Sequence, residues 1–131
     1  MDHKIKVVCG DWSNDGHGMT DSITIKSNLT KDQLESAYAN GSNILGFDFK
    51  ETVGKELEDN KMSQAEMDLL HKHNIDVVVD EYYGKKGYYS LDTESYTEII
   101  LGICKLGYPN FMHHKIETEE FHIGGYGLFY G

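Results

Sequence analysis

An α+β fold in one domain is what this sequence predicts, and three features predict it. Two short segments near the start alternate apolar and polar residues, as half-buried strands do. Three helix-start signatures then follow in close succession: Thr30-Lys31-Asp32-Gln33, Asp48-Phe49-Lys50-Glu51 and Ser63-Gln64-Ala65-Glu66. A β-like, glycine-rich and aromatic tail runs from Phe111 to Tyr130. Together these predict a mainly antiparallel sheet packed with three to four helices. The chain has 131 residues, a length suited to one core, and 39% of them are hydrophobic.

In chain order, residues 4–9 read as a strand, and residues 22–27 read as a second through Ile23 and Ile25. A glycine-rich loop, Gly10 to Thr20, joins them. The Thr30 box opens a helix with Leu34, Ala37 and Tyr38 on one face, which either stops at Asn40-Gly41 or continues to Leu45. The Asp48 box opens one carrying Phe49, Val53 and Leu57, and the Ser63 box one carrying Met67 and Leu70. Val77-Val78-Val79 reads as a strand, and Tyr82 to Tyr89 as a hairpin turning on glycines and lysines. Tyr96, Ile99, Ile100 and Ile103 recur at helical spacing and predict a helix ending near Gly107, ahead of Pro109. Glu117-Thr118-Glu119-Glu120 marks a turn within the β-like tail.

Charge narrows the function classes. Twelve basic residues, all lysine, face 22 acidic ones, so the net charge is −10. Polymeric nucleic acid binding needs cations to neutralise phosphates and is not expected here. Without arginine there is no bidentate fork for phosphate, so any anion must be held by lysine, hydroxyls or main-chain N–H groups. No apolar run approaches the roughly 20 residues of a membrane span, and Met1-Asp2-His3-Lys4 does not open a signal peptide. Cys9 and Cys104 read as buried free thiols in a reducing compartment.

The densest polar cluster is Asp11-Trp12-Ser13-Asn14-Asp15-Gly16, which matches the first half of a calcium loop. The glutamate that completes such a loop is missing, because Ser22 stands at that position, so no metal or other cofactor is expected. A plain hairpin loop and a ligand loop remain, the latter offering the Trp12 ring beside Gly10, Gly16, Gly18 and His17. His113, His114 and His122 converge only if the last two strands pair, and adjacent histidines on a strand point to opposite faces. Nine tyrosines include the pairs Tyr82-Tyr83 and Tyr88-Tyr89. Such pairs serve either core packing or a stacking platform for a nucleobase. No nucleophile elbow, Walker loop or HExxH motif is present, and a non-enzymatic role is expected.

The segment Gly10-Asp11-Trp12-Ser13-Asn14-Asp15-Gly16-His17-Gly18-Met19-Thr20, followed by a strand and a capped helix, resembles the N-terminal part of phage anti-Thoeris sponge proteins. The tail Gly124-Gly125-Tyr126-Gly127-Leu128-Phe129 adds to the likeness. The resemblance implies a small α+β homo-oligomer with pockets at subunit interfaces, acting in the host bacterial cytoplasm. It also implies binding of a cyclic ADP-ribose isomer made by bacterial TIR-domain proteins, sequestered without cleavage. On that reading Trp12, Asp15, His17 and His122 lie at the pocket, with Tyr88, Tyr89, Phe111 or Tyr126 supplying stacking. Lys85, Lys86 and Lys115 are then the candidates for the diphosphate. Two other readings stand beside it: an acidic inhibitor working by protein–protein contact, and a metal-dependent hydrolase of a nucleotide signal using Asp11, Asp15 and His17.

Overall fold

In a computed structural model, residues 3–10, 20–49, 61–77, 79–83, 88–91, 96–116 and 129–130 are described. Strands β1 (His3–Gly10) and β2 (Thr20–Ser27) form an antiparallel pair. Helix α1 (Lys31–Leu45) follows, then β3 (Lys61–Ser63) and α2 (Gln64–Lys72). Next come β4 (Val79–Tyr83), β5 (Tyr88–Leu91), α3 (Tyr96–Gly107), β6 (His113–Ile116) and β7 (Phe129–Tyr130). The strands make two antiparallel sheets, one in the order β6-β2-β1-β7 and one in the order β3-β5-β4. The fold is α+β in a single domain. Among the described residues it has three helices, and none is long and apolar enough to cross a membrane.

The alternation in β1 and β2 sends Ile5, Val7 and Ile25 inward, with Phe129 of β7 beside Val7 in register. Helix α3 lies on β1 and β2 and packs along α1, which also reaches β7. Leu34, Ala37 and Leu45 of α1 meet Ile99, Ile100, Ile103 and Cys104 of α3 in one core. Burial pushes the free Cys104 thiol up to about 12, and its Sγ lies 3.8 Å from the Leu34 carbonyl oxygen. The Cys9 side chain lies outside the described residues.

Both helix starts with complete capping boxes form as the sequence predicts. Thr30 Oγ1 accepts from Gln33 N–H while Gln33 Oε1 accepts from Thr30 N–H, and Ser63 and Glu66 repeat the arrangement. Of the Asp48 box only Asp48 and Phe49 are described; the rest of that expected helix lies outside the described residues. Helix α1 does not stop at Asn40-Gly41 but runs to Leu45 and ends at Gly46, whose φ of 101° is left-handed. Gly41 serves packing instead, since a Cβ there would collide with the Ile103 carbonyl oxygen. Helix α2 closes in a Schellman motif around Asn74 (φ 62°), whose N–H donates to His71 O while Ile75 N–H donates to Leu70 O. The chain stays irregular through Val77, and the expected strand begins at Val79.

Strands β4 and β5 form the expected hairpin, with Tyr82 opposite Tyr89 and Tyr83 opposite Tyr88. The tight turn after α3 is clamped by Asn28. Its Nδ2 donates to Asn110 O at 2.9 Å and its Oδ1 accepts from Met112 N–H at 2.8 Å, which delivers β6 to the edge of β2. Strands β6 and β7 occupy opposite edges of their sheet and are not neighbours. The pairing that would have brought His113 and His114 toward the tail is therefore not the one formed between these two strands.

Two outcomes follow for stability. Alanine in place of helical glycine normally gains about 1 kcal/mol, whereas overpacking a core costs about 1–3 kcal/mol. At Gly41 and Gly107 the obstacle is backbone, the carbonyls of Ile103 and Ala37, so Gly41→Ala and Gly107→Ala should each lower urea-unfolding stability by about 2 kcal/mol. The second concerns His113, whose ring stacks on Phe111 with centroids 4.9 Å apart. Partial burial lowers its pKa below the ordinary 6.5, helped by Lys105 and His114 and opposed by Glu98. As pH falls through 6.5 the unfolded chain takes up this proton before the folded one, so stability drops toward the lower folded value and is unaffected above 6.5. Urea midpoints at about pH 5.5 and about pH 7.5 should therefore differ less in His113→Gln than in the wild type.

Candidate functional site

Of the residues singled out from the sequence, the described ones fall in different elements. The pair Gly10 and Thr20 closes the base of the glycine-rich loop, and Trp12, Asp15 and His17 within it lie outside the described residues. So do Lys85, Lys86, His122 and Tyr126. Tyr88 and Tyr89 belong to β5, the central strand of the three-stranded sheet, while Lys115 is exposed on β6, opposite Ile25 in the four-stranded one. Phe111 is 2% exposed; its ring is taken up by the core and by His113 and offers no open face for a base. Among the described residues, no three His, Cys, Asp or Glu side chains come together as a metal ion would require.

A cleft of about 470 Å³ opens instead at the C-terminal end of α1, lined by Tyr38, Ala39, Ser42, Asn43, Gly46, Phe47 and Asp48. That volume falls within the usual range for small-molecule sites. Helical spacing stacks Tyr38 and Ser42 on one side of α1. The left-handed Gly46, its N–H donating to Ser42 O at 2.8 Å, turns the chain so that Phe47 and Asp48 fold back against the helix. Tyr38 Oη then donates to Asp48 Oδ1 at 2.6 Å, closing one wall. A smaller hollow of about 270 Å³, beside Leu29, Gln33 and Tyr108, lies below that range.

The electrostatics of the larger cleft favour one kind of ligand group. The C-terminal end of a helix carries partial negative charge, and Asp48 adds a carboxylate beside it. Hydroxyl and amine donors suit this end, whereas phosphate is repelled. Phe47 and Tyr38 supply apolar ring surface. Ser42 Oγ is buried and, among the described residues, has no hydrogen-bond partner. Such a group costs about 1–3 kcal/mol to bury. Sequence reading placed Tyr38 in the core and Asp48 at a helix start, and nothing local signalled that a left-handed glycine would bring them together.

This arrangement makes a stability prediction that needs no ligand. Ser42→Ala should leave the unliganded protein as stable as the wild type or up to about 1 kcal/mol more so, because it removes an unpaired buried hydroxyl. Tyr38→Phe should lose about 1–2 kcal/mol, because it takes the donor from Asp48. Urea unfolding of both variants checks the contrast. No family model, characterised protein or solved structure matches this chain.

Proposed function

We propose that this protein binds a cyclic ADP-ribose-type nucleotide and holds it intact, withdrawing the signal from a bacterial TIR-dependent anti-phage defence. The observation that carries this reading is the cleft at the end of α1, which pairs ring surface with acceptors suited to sugar hydroxyls. The likeness of the Gly10–Thr20 segment to anti-Thoeris sponges points the same way. On this reading Phe47 lies against the adenine, and Asp48 meets ribose hydroxyls. Trp12, Asp15 and His17 are the further ligand candidates that the likeness implies, in a homo-oligomer with pockets between subunits. Retention is then a matter of slow release, since affinity among related complexes varies mainly through the off-rate. The net charge of −10 opposes approach of an anionic ligand at long range. Over a Debye length of about 8 Å at physiological salt that repulsion fades, and the diphosphate must point away from Asp48 and the helix end, which leaves the base and the sugars as the parts this cleft holds.

The test is direct. Protein mixed with a cyclic ADP-ribose isomer is passed through a filter, and the retained fraction is heated and chromatographed. Retention with recovery of unaltered nucleotide is expected. A nucleotide that stays in the filtrate, or returns cleaved, overturns the proposal. Base stacking on an aromatic ring contributes about 1–3 kcal/mol, so Phe47→Ala should weaken retention about 5- to 100-fold.

A further inference from the structure

We infer that the hollow beside Tyr108 is a second binding site, made for a single flat ring that carries an amino group, as some free nucleobases do. It goes beyond the reading of the cleft and does not depend on it, because the two share no lining residue. Four-residue spacing sets Asp32, Ser36 and Asn40 in one row along α1. Leu29 and Ala37, 3% and 2% exposed, make the apolar floor, and Tyr108, just past the end of α3, supplies the wall that α1 does not. Both sides are fixed from beneath. Gly107 meets the Ala37 backbone with no room for a side chain, which sets Tyr108 beside α1. The Asn28 side chain holds Asn110 and Met112, and Leu29 follows it directly. A hollow held in this way is formed before its ligand arrives, which spares an ordering cost on binding.

The lining chooses the occupant. At about 270 Å³ the hollow falls just short of the roughly 300–1,000 Å³ of sites for whole small molecules, so it takes one ring system and not a nucleotide. Tyr108 is 43% exposed and offers ring surface for stacking. Asp32, Ser36 and Asn40 are exposed, and among the described residues no hydrogen bond or ion pair engages their side chains. A carboxylate only accepts, so Asp32 calls for an N–H donor, whereas Ser36 and Asn40 meet donors and acceptors alike. The same carboxylate turns away anionic ligands. An aliphatic amine would answer Asp32 and leave the Tyr108 ring and the apolar floor uncovered. A heteroaromatic ring with an exocyclic amine answers all three, with ring nitrogens left for Ser36 or Asn40.

Backbone amide spectra of the full chain, titrated with adenine and separately with purine, the same ring without the amine, test this site. Saturable shifts at residues 29–40 and 107–112 are expected with adenine, and affinities are read from those residues. Purine should bind there about tenfold more weakly or worse, because it lacks the donor to a charged group. Asp32→Ala should remove most of that difference, and Tyr108→Ala should weaken adenine about 5- to 100-fold through lost stacking. Glu35→Ala makes the same change of charge on an exposed position of α1 outside the hollow and should bind as the wild type does. No saturation by adenine, shifts confined to residues 42–48, equal affinity for purine, indifference to Asp32 and Tyr108, or equal loss in Glu35→Ala would overturn the inference. Failure to retain the cyclic nucleotide leaves this site standing, and failure here leaves the cleft reading standing.

Discussion

Helices α1 and α3 meet at positions where neither chain has room for a side chain. Gly41 faces the Ile103 carbonyl and Gly107 faces the Ala37 carbonyl, so the two backbones lie closer than alanine would permit. The approach buries Cys104 against the first turns of α1 and sets Leu34 and Ala37 among the isoleucines of α3. Because α3 also rests on β1 and β2, this one contact sets where α1 lies over the sheet. The end of α1, its left-handed Gly46 and the returning Phe47-Asp48 then follow. The cleft is thus a consequence of helix packing rather than of a loop that happens to fold there.

The molecule divides its charge by location. At the end of α1 the helix dipole and Asp48 make an environment for donors, whereas the far side of the sheet gathers lysines in a row. A protein with net charge −10 and no arginine cannot rely on long-range attraction to capture an anion.

What could be read from the sequence and what could not separate along physical lines. The boxes at Thr30–Gln33 and Ser63–Glu66 were legible because their bonds close within one turn. The α3 face was legible because Tyr96, Ile99, Ile100 and Ile103 repeat at helical period and are all buried. The end of α1 stayed open between Asn40-Gly41 and Leu45 because a local rule assigns glycine to helix ends, while the reason for this glycine lies across the core in α3. Val77 looked like strand by composition, but the chain there follows the Schellman turn at Asn74. Phe111 looked like a stacking ring, and its burial comes from the Asn28 clamp and the fold of β6 beneath it. The cleft and the lysine row were illegible for a related reason. Tyr38 and Asp48 are joined only through a left-handed turn, and Lys4, Lys26 and His114 become neighbours only once three strands are in register.

Cys104 gives this architecture a built-in reporter. Its thiol is held protonated by burial, with a pKa near 12, and its sulfur lies against the Leu34 carbonyl at the seam between α1 and α3. A thiol so placed is inert toward alkylating reagents while the seam is shut, because the reactive thiolate is both scarce and inaccessible. The rate at which an alkylating reagent labels this one sulfur therefore times how often the two helices part, a clock on the breathing of the domain built from a native side chain.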